Sequence, residues 1–195
     1  MMDTAFGAPE RNYPALFLAL DDVLEALDEG SPDDDVLRRS FEGSADGFGA
    51  RKALLLMVDA EASSEEKRRL RALVWRGLSP EEVDACERGW SVPGVSSSCI
   101  RDAIVSGSPV LVQDAERTVG HLSEALRGQP YSVLCAPVRD PRTGTALAVL
   151  YVQNEGVRNA FGELDRTWIE VYARALGRAM RARPLRPAAP PEPAP

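Results

Sequence analysis

The chain has 195 residues, 44% of them hydrophobic and 27% charged, which suffices for one domain with a real core and not for two comfortable ones. Its 30 acidic and 23 basic side chains give a formal charge of −7 without any dense lysine and arginine cluster to gather phosphates, so direct nucleic-acid binding is not expected. No apolar run approaches the roughly 20 residues that cross a bilayer, MMDTAFGAPERNY lacks a basic region followed by an apolar one, and three scattered cysteines with a single histidine suggest neither a disulfide framework nor a zinc site. A cytoplasmic protein without membrane contact, metal or cofactor is the expectation.

Residues 1–13 read as an N-terminal arm, and 14–29 as an amphipathic helix with Leu16, Leu20, Val23, Leu24 and Leu27 on one face, stopped by Gly30. A second helix is expected to open at Ser31 with Pro32 in its first position and to run to about Phe48, turning Val36, Leu37, Phe41 and Ala45 inward. Its acidic start, Asp33-Asp34-Asp35, suits the positive end of a helix dipole. The continuous apolar run Lys52 to Asp59 fits a strand buried on both faces, and another strand follows near Leu70 to Arg76.

Ser79-Pro80-Glu81-Glu82 opens a short helix, because serine can cap, proline suits the first helical position and two acids follow. Gly89 and Pro93-Gly94 lead from it to SSSCIRDAIVSGSPVLVQDA, Ser96 to Ala115, read as a helix ending at Gly107 and a strand ending at Asp114. Tyr131 to Arg139 and Thr145 to Gln153 form a hairpin around the turn sequence DPRTG. Residues 162–183 carry Leu164, Trp168, Val171, Tyr172, Ala175, Leu176, Ala179 and Met180 at helical spacing. The ending PLRPAAPPEPAP, 184–195, reads as an extended Pro-rich linker or tail that suggests a further domain beyond it.

This order of elements over residues 14–183 resembles a GAF domain, the small α+β sensory module built on an antiparallel sheet flanked by helices. The segments RGLSPEEV, CIRDAIVSGSPVLVQDA, YSVLCAPVRD and GTALAVLYVQN carry the likeness. They look like the GAF domains that precede bacterial signalling outputs, especially enhancer-dependent transcriptional activators and forkhead-associated regulators. The resemblance implies a ligand pocket between sheet and covering helices, terminal helices packed together, and a homodimer formed through the Leu16–Leu27 and Trp168–Met180 helices. Phe17 beside Leu16 and Ile169 beside Trp168 widen those apolar stripes beyond what one core needs.

The pocket candidates are Cys99, Asp114, His121, Tyr131, Cys135 and Trp75, with Trp90 as another aromatic able to cover a cavity. Cys99 sits in a helix's first turn, where backbone N–H groups can lower a thiol pKa, although packing as a small apolar residue is the plainer role. Cys135 reads as inert strand core, and Cys86 has no functional context. Asp114 either caps the following turn or contacts a ligand at the pocket rim, and a lone His121 makes no metal site.

Two functional branches of the family leave partial traces. In the free methionine-R-sulfoxide reductases the catalytic cysteine follows a pattern resembling GHIAC, whereas the residues here are Gly120-His121-Leu122-Ser123-Glu124, with no thiolate at the last position. Cyclic-nucleotide-binding members carry Asn-Lys, a later Phe and Asp-Glu. This chain has Asn154-Glu155, Phe161 and Asp165-Arg166, so Glu155 would repel Asp165, and Glu155 with Arg166 or Arg158 is the expected replacement. The leading expectation is a non-enzymatic regulatory domain that senses a small molecule or partner and signals through its terminal helices to an output domain. A dimerisation or interaction scaffold with a filled pocket is the alternative, followed by a thiol redox sensor and a reductase-like enzyme.

Overall fold

The computed structural model describes residues 10–30, 33–58, 70–88 (side chains to 85), 94–113 and 131–182. Helix α1 (Tyr13–Asp28) starts one residue before its apolar pattern because Asn12 caps it, its side chain accepting the Ala15 N–H at 3.1 Å. Helix α2 (Asp34–Gly47) is capped by Asp33, whose carboxylate accepts the Val36 N–H at 2.7 Å. The expected cap at Ser31 is therefore displaced by two residues: of the acidic run, Asp33 takes the capping role and Asp34 and Asp35 occupy the first turn.

Strands β1 (Lys52–Val58) and β2 (Leu70–Arg76) follow, then α3 (Pro80–Arg88), α4 (Ser97–Ser106), β3 (Val110–Val112), the hairpin β4 (Tyr131–Arg139) and β5 (Ala146–Glu155), and α5 (Glu163–Ala182). The sheet order is β2-β1-β5-β4-β3, and every neighbouring pair is antiparallel. Bulges interrupt the ladders at Leu55/Leu56 and Val138/Arg139. In the hairpin turn Asp140 accepts the Arg142 N–H at 2.8 Å, and Gly144 supplies the positive φ of +72° that a residue with a Cβ adopts only under strain.

Period-two alternation splits the strands between two cores. On one face Ala53, Leu55, Leu134, Ala136, Leu150 and Val152 pack beneath α1, α2 and α5. On the other, Leu54, Leu56, Val133, Cys135, Val149 and Tyr151 pack beneath α4 and the approach to it. The three-helix layer is keyed by one polar contact: Ser40 Oγ donates to the Ala19 carbonyl at 2.6 Å and lies 2.6 Å from the Tyr172 hydroxyl, joining α1, α2 and α5.

Burial within the terminal helices differs from the apolar stripes of the sequence. In α1 the inward residues are Leu16, Ala19, Val23 and Ala26, while Leu24 is exposed. In α5 Asp165, Ile169, Tyr172, Ala173 and Leu176 are buried, whereas Leu164 and Val171 face outward. Ile169 thus belongs to the protein's own core and does not widen an outer face. Close approach explains the shift, because small residues let helices sit near their neighbours: a Cβ on Gly47 would strike Leu16, and one on Gly177 would strike the Arg139 carbonyl. The terminal helices do pack together, with Tyr13 stacked on Trp168 at a centroid separation of 6.4 Å. No helix among the described residues is long and apolar enough to cross a membrane.

Candidate functional site

Helix α4 is positioned by the punctuation read in its sequence. Ser96 is its N-cap, accepting the Cys99 N–H, and Gly107 ends it in the left-handed region at φ +67°. The helix lays Cys99, Ile100 and Ala103 onto the sheet face that carries Tyr131, Val133, Cys135 and Tyr151. Of the six candidate residues, the fold brings Cys99, Tyr131 and Cys135 into this one cluster with no exposed surface, and Trp75 packs at its edge. Asp114 and His121 lie outside the described residues, as do Trp90, the 120–124 stretch and the 184–195 tail.

Cys99 is fully buried. Burial pushes it up from an ordinary 9.0 to about 11, against the opposing hydrogen bond that Ser96 Oγ donates to its sulfur at 3.1 Å. Desolvation outweighs the helix-start position that suggested activation. Burial likewise pushes Cys135 well above its usual value.

A measurable consequence follows from the sign of that shift. A thiol that is harder to ionise when folded contributes stability that is complete below pH 9 and is lost as the pH rises toward about 11. Cys99 is therefore expected to resist iodoacetamide at pH 8 in the native protein and to react on unfolding. Between pH 9 and 11 the melting temperature should fall, and fall less steeply in Cys99→Ala. Rapid native-state alkylation at pH 8 would contradict the burial seen.

Beside this apolar patch lies a polar relay that sequence reading did not assemble. The Ser96 backbone N–H donates to the Tyr151 hydroxyl at 3.0 Å, and that hydroxyl donates to Gln153 Oε1. The Gln153 amide donates to the Gly94 carbonyl at 2.9 Å and to Glu155 at 3.0 Å. Lys52 then bridges Glu155 at 2.8 Å and Glu82 at 3.0 Å. Burial alone would depress the lysine pKa, but its bonds to Glu155 and Glu82 outweigh burial and hold it above the ordinary value. Glu82 also completes a capping box, since Ser79 N donates to its carboxylate at 2.7 Å and Ser79 Oγ accepts the Glu82 N–H. One relay thus fastens α3 and the start of α4 to β1 and β5.

The expected tie between Glu155 and Arg166 is replaced. Glu155 pairs with Lys52, and Arg166 lies 3.4 Å from Glu163. Asp165 receives its cation from Arg11, at 2.9 Å, and its second oxygen accepts the Gly162 N–H at the start of α5. Arg11 also donates to the Phe48 carbonyl and lies over the Phe161 ring at 5.0 Å. The clue available in the sequence was Arg11 itself, a lone cation just before α1.

Two buried polar atoms have no partner among the described residues: the Tyr131 hydroxyl and the Asn154 side-chain nitrogen. Asn154 is otherwise engaged, its oxygen accepting the Arg51 N–H at 3.0 Å, while Tyr131 faces the α4 cluster. A separate open cleft of about 130 Å³ lies toward α5, lined by Gly107, Pro137, Arg139, Glu170 and Arg174 among others. No group of His, Cys, Asp and Glu among the described residues is arranged to hold a metal ion.

A family model described as a GAF domain matches residues 31–181. No curated protein sequence is significantly similar to this chain. Among solved structures, it is similar to the free methionine-R-sulfoxide reductase of Neisseria meningitidis, at 17% identity and a TM-score of 0.61, covering 86% of this chain and 87% of that one. The GAF domain of a Coxiella burnetii phosphoenolpyruvate-protein phosphotransferase matches at 16% identity and a TM-score of 0.61, with 87% and 95% covered. The GAF domain of a Pseudomonas syringae pv. tomato sensor histidine kinase matches at 16% and 0.52, with 87% and 89% covered. At these identities the likeness is one of fold.

Proposed function

The chain belongs to the GAF domain family, and from that premise we propose that it is a non-enzymatic regulatory domain of the cytoplasm. In this reading it binds a small molecule on the α4 face and relays the change through α1 and α5, across a homodimer, to an output domain in bacterial signalling or transcriptional control. The observation that carries the reading is the placement of β4. At one end it holds Tyr131 and Cys135 on the α4 face, and at the other its Arg139 backbone is in direct contact with α5 at Gly177. Arg181 of α5 also pairs with Asp140, just past the strand. A displacement of β4 by a ligand therefore acts on the terminal helices without an intermediary, and a ligand preferring one helix arrangement shifts the population toward it.

Two further observations support the reading. The buried Cys99, raised to about 11, offers no thiolate, and Glu124 stands where the reductases have their cysteine. Phe17 and Leu24 on α1 and Leu164 and Val171 on α5 are exposed while Tyr13 and Trp168 join the two helices, so the pair presents apolar surface suited to the same pair of a second copy.

The test combines ligand and assembly measurements. A panel of nucleotides, nucleosides, amides and carboxylates is screened by thermal shift; a ligand at about 100 times its Kd adds roughly 2.7 kcal/mol and raises the melting temperature by several degrees. Light scattering should give a dimer for the wild type and a folded, ligand-binding monomer for the Phe17→Glu/Val171→Glu double variant. A panel that moves nothing sinks the sensor and leaves the interaction scaffold, while a monomeric wild type removes the dimer relay.

A further inference from the structure

The α4 face separates its polar groups into those with a structural task and one without. Tyr151, Gln153, Glu155, Lys52 and Glu82 all bond within the relay. Tyr131, which has no exposed surface, carries the one hydroxyl of the cluster left without a partner among the described residues. An unsatisfied buried hydroxyl is costly, and a group that satisfies it is correspondingly favoured. Tyr131 is the cross-strand neighbour of Glu155, and such neighbours hold their Cβ atoms about 4.5–5.5 Å apart on one face.

Charge restricts what can meet Tyr131. Lys52 is shared between two carboxylates, Glu82 and Glu155, and Arg51 donates to the Glu155 carbonyl at 3.2 Å, so the charged side chain paired across the strands with Tyr131 is the Glu155 carboxylate. Glu155 Oε1 accepts from both Lys52 and Gln153, and a carboxylate has further acceptor capacity on its second oxygen. Among the described residues, Tyr131 shares an apolar cluster with Val112, Val133, Cys99 and Cys135. An anion brought here would sit beside the Glu155 carboxylate, with the nearby ammonium already engaged.

We propose that the ligand of this face is a small uncharged molecule with an amide or lactam edge, its carbonyl oxygen taking the Tyr131 O–H and its N–H directed to Glu155, and that carboxylates and phosphates are rejected. This rests on the sensor reading above and adds the chemical class. The same residues account for both parts: Tyr131 supplies the donor that an amide oxygen needs, and Glu155 supplies the charge that turns an anion away.

Matched pairs test the class directly: benzamide against benzoate and nicotinamide against nicotinate, by calorimetry and thermal shift on the full chain. The amides are expected to bind at least tenfold tighter than their acids. Tyr131→Phe should melt above the wild type when unliganded, because it deletes an unsatisfied hydroxyl, and should weaken amide binding roughly five- to tenfold. A hydroxyl with a structural role would move the melting temperature the other way. Acids that bind as well as amides overturn the proposal, as does amide binding unaffected by Tyr131→Phe. If neither pair binds while the broader panel yields a ligand, the chemical class is wrong and the sensor stands; if nothing binds at all, the sensor reading has failed as well.

Discussion

Gly177→Ala is expected to lower stability by about 3 kcal/mol or more, a larger loss than an ordinary core change, because the added methyl meets backbone and not a movable side chain. A Cβ at Gly177 would overlap the Arg139 carbonyl, with the Arg139 carbonyl carbon and amide nitrogen at 3.2 and 3.4 Å. Helix α5 must then lift from β4 or the strand must bend at the Val138/Arg139 bulge. For a chain of this length the loss corresponds to roughly 6–12 °C in melting temperature. The neighbouring exposed substitution Arg178→Ala should stay within about 0.5 kcal/mol. A Gly177→Ala protein that melts like the wild type would show that α5 can move freely on β4, removing the rigid contact on which the proposed relay depends.

The second large effect is expected at Lys52→Met, which leaves Glu82 and Glu155 facing one another without their shared cation. Breaking a buried pair by removing one partner costs about 3–5 kcal/mol, and these carboxylates are only partly buried, so about 2–3 kcal/mol is expected by denaturant melts at pH 7. Adding Glu82→Gln should recover part of the loss, because it deletes one of two repelling charges and leaves a hydrogen-bonding group of the same shape. In the wild type a lysine held above its ordinary value contributes stability that is complete below pH 10.5 and lost as the pH rises beyond it. Equal loss in the single and double variants would mean that the two carboxylates are not coupled through Lys52.

These two sites show how unevenly the molecule can be read. Glu82 was visible as part of a helix opening and Glu155 as part of a hairpin end, yet Lys52, which joins them, was simply the first residue of an apolar strand. Nothing local distinguishes it: the pairing exists because β1 lies beside β5 and α3 crosses their ends. The Arg11–Asp165 pair is hidden in the same way, across 154 positions of sequence.

Local chemistry determined the elements themselves. Serine at 79 and 96, proline at 80, glycine at 107 and the DPRTG turn fix where backbone donors are capped or where φ turns positive, and those requirements are met within a few residues. Apolar runs and helical spacing then gave the strands and the helices, and the resemblance to GAF domains implied the α+β class, all of which the fold retains. Tertiary structure alone decided which helix faces are buried, since Ala19, Ala26 and Gly177 go inward for closeness while larger Leu24, Leu164 and Val171 remain outside. It also decided that Cys99 is buried, which pushes its thiol up, and that Tyr131 stands without a partner among the described residues, beside the relay. Capping and periodicity act between near neighbours in the chain, whereas desolvation and charge pairing depend on neighbours that only the closed sheet and its covering helices bring together.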